Sequence, residues 1–322
     1  MILQHYSPTH QLAYTGRKEI LANQRFYQTI HCLDLQHTQL TTQPHLQPAI
    51  LGFCSEEGII RNHGRPGAKF GPEAFRKAFA NLPAHGIAHL IDVGDITVTD
   101  DLELGQKALG SVVSELVKHH YLPIVIGGGH ELAWGQYQGI HQSPLRKKLG
   151  IINFDAHFDL RPLAKPNYGT SGTPFTQIAQ QRELDKLGFH YLCVGIQPTA
   201  NTPELFEQAR ILGAEYISAS QLTENDVSHS LSIINHSIQQ CDSIYLSICM
   251  DVFSASLASG VSAPQSLGIL PERALPLIQH IMQSGKTISL AVAELSPPYD
   301  QNSLTARLAA ELVAHCLYTQ RV

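Results

Sequence analysis

Apolar residues along this 322-residue chain gather into short runs that recur at intervals, with amphipathic stretches between them. The runs cover 49–54 (AILGFC), 88–95 (AHLIDVGD), 122–129 (LPIVIGGG), 149–155 (LGIINFD), 190–196 (HYLCVGI), 214–217 (AEYI), 243–251 (SIYLSICMD) and 287–295 (TISLAVAEL). They are continuous rather than alternating, the pattern of strands buried on both faces. Between them the spacing predicts helices near 71–80, 102–120, 131–141, 173–187, 203–212, 226–240, 272–284 and 303–318. Strand-then-helix alternation predicts an α/β fold of three layers around a mostly parallel sheet. No repeat, low-complexity tract or linker interrupts it, so residues 46–322 read as one domain. The first 45 residues, rich in Gln, His and Thr and weakly patterned, read as an N-terminal arm laid over its surface.

In open sheets of this kind, ligands gather beyond the carboxyl ends of the strands. Several apolar runs end there in chemistry-bearing residues: His130 after VIGGG, Asp155, His157, Asp159 and Arg161 in FDAHFDLR, Asp251 after SICM, and Glu294 in AVAEL. If Asp155 closes a strand, residues 155, 157 and 159 can turn toward one point while Ala156 and Phe158 turn back to the core. Carboxylate, imidazole and carboxylate make a donor set suited to a divalent ion such as Mn²⁺ or Zn²⁺. The three glycines before His130 allow close backbone approach and positive φ. Alone, GGGH reads equally as a turn; beside DAHFD it reads as a source of a fourth ligand. A phosphate-binding loop is excluded, since neither GxGxxG nor GxxxxGK[ST] is present. Cys249 stands two places before Asp251, on the same side of an extended chain.

Composition narrows the partners. With 43% hydrophobic and 15% charged residues the chain is ordinary for a globular protein, and a net charge of −5 without a basic stripe argues against nucleic acid and anionic membrane. No apolar run approaches the roughly 18 residues needed to span a bilayer, and the N-terminus has no secretory pattern. Six singly scattered cysteines, mostly in apolar segments, fit reduced thiols of a cytoplasmic protein.

Taken in order and spacing, GGGH, FDAHFDLR, SICMD and AELSP, with NHGRPGAKFGPEAFRKAF upstream, resemble the ureohydrolase (arginase/agmatinase) superfamily. Within it, DAHFDLR, TSGTPF (170–175), NTPELFEQA, GVSAP (260–264) and TARLAA look most like the formimidoylglutamase family. The resemblance runs from about residue 50 to the C-terminus. It implies an arginase-like αβα sandwich with an eight-stranded parallel sheet and two Mn²⁺ per chain. It also implies hydrolysis of N-formimidoyl-L-glutamate to L-glutamate and formamide in histidine breakdown. Carried over by position, His130, Asp155 and Asp159 would hold one ion and His157, Asp155 and Asp251 the other, with Asp155 bridging. The family has a second bridging aspartate where this chain has Cys249. Relatives commonly form homo-oligomers.

The chemistry reads consistently from the residues. Water between two divalent ions loses a proton near neutral pH, and the hydroxide attacks the amidine carbon. Asp159 is the candidate proton shuttle to the leaving nitrogen, and Glu294 matches the family glutamate that receives the cationic amidine. Arg161 is placed to grip a substrate carboxylate bidentately, and Ser171, Gly172 and Thr173 to supply hydroxyl and backbone N–H donors to the other. Two alternatives stand beside this: another ureohydrolase acting on a guanidino or amidino acid, and a metal-poor, non-catalytic homologue.

Overall fold

The computed structural model describes residues 5–224 and 227–320. In chain order its strands are β1 (Tyr6–Ser7), β2 (Ile30–Cys32), β3 (Gln47–Cys54), β4 (Leu90–Thr97), β5 (Tyr121–Gly127), β6 (Leu149–Phe154), β7 (His190–Ile196), β8 (Glu215–Ser218), β9 (Ser243–Cys249) and β10 (Thr287–Ala293). They form one sheet in the order β1-β4-β3-β5-β10-β9-β6-β7-β8, with β2 also pairing to β4. All pairings are parallel except β1 with β4.

Strands β3 to β10 are the eight that the apolar runs predict, and the eight expected helices lie close to their predicted bounds. The central strands are covered on both sides, so their alternate residues enter different cores. Ile124 and Ile126, Leu290 and Val292, and Ile152 and Phe154 join one core with helices 71–80, 227–239, 271–283 and 304–319. Val125, Ala291 and Ile151 join the other with helices 102–118, 132–141, 174–184 and 203–211. Apolar side chains on both faces are why the runs are continuous.

The first 45 residues do more than cover the surface, because they add β1 and β2 to the β4 edge. Phe26 is fully buried and stacks on Phe79 with centroids 4.1 Å apart. The Tyr14 hydroxyl donates to Asp92 at 2.6 Å, where Arg76 also grips Asp92 through Nε at 2.6 Å and Nη2 at 3.1 Å. This buried charge is therefore paired and hydrogen-bonded, as burial demands. Isolated aromatics in a polar stretch carry such burial without leaving a periodic pattern.

Candidate metal centre

Four neighbouring strands, β5, β10, β9 and β6, end side by side at the centre of the sheet. The chain runs from β5 to β6 by crossing the gap that β9 and β10 later fill, which makes the crevice where such sheets collect ligands. Just past these ends stand His130 and Asp155, at the ends of β9 and β10 Cys249, Asp251 and Glu294, and in the loop after β6 His157 and Asp159.

Close backbone approach builds the first corner. Gly128 donates its N–H to Phe53 O at 2.8 Å, and a Cβ there would lie 1.7 Å from Ser55 O. At Gly129 a Cβ would meet Glu131 Oε2 at 2.0 Å. None of the three glycines adopts positive φ. Their role is the absence of a side chain, which gives the close backbone approach, and the positive φ they allow is not used. The left-handed residues of the site are instead Asp159 (φ 51°) and Glu294 (φ 67°), conformations that non-glycine residues seldom hold without a compensating role.

His130 is buried, with Nδ1 2.9 Å from Asp155 Oδ2 and 3.0 Å from Asp159 Oδ2. Neither contact has hydrogen-bond geometry. The other ring nitrogen, Nε2, lies 2.8 Å from Ser247 Oγ, and Phe175 packs edge-on against the ring. With Nε2 engaged by Ser247, Nδ1 faces the point where the carboxylates converge. A second group follows, in which His157 Nδ1 is 3.4 Å from Asp155 Oδ1 and 3.2 Å from Asp251 Oδ2. Asp251 Oδ1 is buried and has no partner. Donor atoms of His130, Asp155 and Cys249 lie within 4.8 Å of one another, as do those of Asp155, His157 and Asp251, so Asp155 belongs to both groups.

Partners behind the donors fix their orientation. Asn153 Nδ2 donates to Asp155 Oδ2 at 3.1 Å and the His157 N–H to Asp155 Oδ1 at 2.8 Å. Asn201 clamps the loop, accepting from Phe158 N at 3.0 Å and donating to Ala156 O at 2.8 Å. Glu294 accepts from the His130 N–H at 2.9 Å and from the Ser262 hydroxyl.

The electrostatics are those of a site short of positive charge. Burial opposes ionisation of Asp155, but His130 and His157 outweigh it and hold its pKa below the usual carboxylate range. Burial likewise opposes the charged imidazoles, yet the facing aspartates raise both His130 and His157 well above the ordinary histidine value. Asp159 is pushed up to about 6 by burial and the charge of Asp155, and Glu294 to about 8 by burial and Asp251. Burial and then Asp155 also raise Asp251. Burial and the surrounding carboxylates raise the Cys249 thiol well above its usual value. A bound cation reverses this logic, favouring charged carboxylates and neutral imidazoles.

A cavity of about 180 Å³ opens onto the cluster, lined by His130, His157, Asp159, Cys249, Asp251 and Glu294 on the donor side. Arg161, Ser171, Asn62, Gly64, Ala200, Leu205, Ser262 and Ala263 complete it. Arg161 therefore reaches the cavity. Two of the expected substrate contacts do not. The Thr173 hydroxyl is held within its own turn, bonded to Thr170 O at 3.1 Å and Gln177 Oε1 at 3.2 Å at the start of helix 174–184. Thr173 is absent from the lining, and the Gly172 N–H is spent on Thr170 Oγ1 at 3.2 Å. Ser247, Asn153, Ser262 and Asn62 were not singled out from sequence. Ser247 was within reach, since it shares the period-two face of Cys249 and Asp251.

Fold and site together define a member of the arginase family, and the family's model matches residues 47–318, so the chain belongs to it. A formimidoylglutamase of Legionella pneumophila is 44% identical over 318 residues, covering 98% of both chains. Among solved structures, the formimidoylglutamase of Bacillus subtilis superposes with a TM-score of 0.80 at 23% identity, covering 95% of each chain. The formiminoglutamase of Trypanosoma cruzi, solved with Mn²⁺, gives 0.77 at 23% identity over 88% of this chain and 98% of its own.

Proposed function

We infer that this chain is a formimidoylglutamase-type hydrolase, cleaving the C–N bond of N-formimidoyl-L-glutamate to give L-glutamate and formamide. The observation that carries the reading is the 44% identity, end to end, with a protein of that name. The substrate is an amidine bearing two carboxylates, so a site for it needs an anionic patch and a cationic one. Both line the one cavity here, as Glu294 and Arg161.

The donor set fits two divalent ions, and Mn²⁺ is the ion named with the Trypanosoma cruzi relative. The fit rests on the buried His130 Nδ1 and Asp251 Oδ1, which have no hydrogen-bond partner, and on three carboxyls whose pKa values are raised for want of positive charge. His130, Asp155 and Asp159 would hold one ion and His157, Asp155 and Asp251 the other. When bound, the pair supplies a Lewis acid that activates water at neutral pH. Cys249 offers sulfur where the family has a second aspartate, so it would add little charge for a hard ion, and one of the two ions would be held more loosely than the other.

The chain's own residues do the rest. Glu294, its oxygens fixed by the His130 N–H and Ser262, orients the amidinium and favours its protonated form. Asp159 holds a proton for the leaving glutamate nitrogen, which must be protonated for the bond to break. Arg161 takes a carboxylate at the rim. The six cysteines are unpaired, in keeping with a cytoplasmic setting. No helix among the described residues is long and apolar enough to cross a membrane.

A substrate panel tests the reading. Formamide from N-formimidoyl-L-glutamate supports it; urea from arginine, agmatine or guanidinobutyrate, without formamide, assigns the site to another member of the superfamily.

A further inference from the structure

Asn62 closes the short helix Glu57–Arg61 and lines the cavity beside Arg161 and Ser171. Its Nδ2 donates to Ser171 Oγ at 3.3 Å, which uses one of its two hydrogens. Ser171 Oγ is the acceptor in that bond, so its own proton is free to donate. The Arg161 guanidinium has no ion pair or hydrogen bond among the described residues. Three donors thus stand together around one wall of the cavity with hydrogens to spare.

The gap between them is kept open by a glycine. A Cβ on Gly172 would lie 2.9 Å from Arg161 Cδ and 3.2 Å from Asn62 Nδ2, wedging the two apart. The corner is also braced from behind. Asn62 N and Ser171 N both donate to Gly58 O, at 3.1 and 3.0 Å. Gly58 N in turn donates to Glu131 Oε1 at 3.1 Å, and Ser55 Oγ donates to the same oxygen at 2.8 Å. Glu131 directly follows His130, so the donors are tied to the residue next to a metal-ligating position. A small set of donors on rigid supports is what selective recognition of an anion requires.

We propose that Asn62 is a specificity-determining residue, which with Arg161 and Ser171 receives one carboxylate of the substrate. The assignment rests on the hydrolase reading above and adds to it the residue that selects acidic amidines over neutral or basic ones. An amide and a hydroxyl beside the guanidinium supply donors for the carboxylate lone pairs that a bidentate arginine leaves open when water is displaced.

The test compares three substrates on the metal-loaded enzyme: N-formimidoyl-L-glutamate, N-formimidoyl-L-glutamine, which lacks the side-chain carboxylate, and N-formimidoyl-γ-aminobutyrate, which lacks the α-carboxylate. Asn62→Ala is expected to raise KM for the dicarboxylate about tenfold, with kcat within about twofold and metal content unchanged. With whichever analogue lacks the recognised carboxylate, the same substitution is expected to change KM by less than about twofold. Asn62→Asp, similar in size, is expected to raise KM for the dicarboxylate further than Asn62→Ala. Equal losses on all three substrates, or no change on any, overturn the assignment. If the wild type hydrolyses a guanidino acid instead, the function reading fails, and the corner is tested on that acid and its decarboxylated analogue.

Discussion

Cys249 concentrates the chemical question at the scale of a single residue. It ends β9 within 4.8 Å of donor atoms on His130 and Asp155. Burial and four surrounding carboxylates make ionisation of its thiol costly. A carboxylate at this position would bridge with a full negative charge, whereas a neutral sulfur contributes little to a hard ion. Cys249→Asp is therefore expected to tighten the weaker Mn²⁺ by about tenfold or more and to raise turnover. Calorimetric titration of the wild type should resolve two affinities that the variant brings closer together. Unchanged affinities and turnover would mean that the thiol already serves as well as a carboxylate.

At the scale of elements, the strands were legible because the central ones are continuous apolar runs buried on both faces, and the helices because apolar residues recur at helical spacing. The donors were legible for a related reason. A charged residue closing an apolar strand has nowhere to hide, so Asp155, Asp251 and Glu294 stood out. What sequence did not carry was contact across distant segments. Asn62 and Ser171 are 109 positions apart, and nothing local to either marks the bond between them. The Thr173 hydroxyl bonds within its own turn, because a hydroxyl at a helix start serves a turn as readily as a ligand. The arm escaped because Tyr14 and Phe26 are buried singly. The GGGH segment yields a sharp expectation: Gly128→Ala drives a methyl into the Ser55 carbonyl, which must be relieved by moving β3 or the β5 end. Overpacking of this kind costs about 1–3 kcal/mol. Urea denaturation should show a midpoint lowered accordingly, and a loss of metal affinity with it, since His130 lies two residues on. A variant as stable as the wild type would show that the loop yields freely.

At the scale of the whole molecule, the cluster links metal, pH and stability. His130 and His157 have raised pKa values in the fold, so their charged forms stabilise it fully below about pH 6.5 and lose that effect as pH climbs through the folded values. Asp159 and Glu294, raised to about 6 and about 8, retain protons that the unfolded chain releases near pH 4. They too reduce stability as pH rises. Asp155, lowered in the fold, works the other way, but its contribution is complete above about pH 4 and is lost only in stronger acid. Metal-free protein should thus lose stability between about pH 5 and 8. Metal binding requires the opposite protonation, with neutral imidazoles and charged carboxylates, so it strengthens over the same range. The difference in Tm between Mn²⁺-loaded and chelator-treated protein is expected to widen from pH 6 to pH 8. A difference that narrows would show that these residues do not hold the ion.

The central claim joins a metal centre to a reaction, and one measurement reads both: elemental analysis of the purified protein, coupled to formamide release from N-formimidoyl-L-glutamate as Mn²⁺ is added back. Bound metal after mild purification is expected, with formamide production rising as the weaker site fills. A protein that binds no divalent ion, or binds it and releases no formamide, would contradict the account.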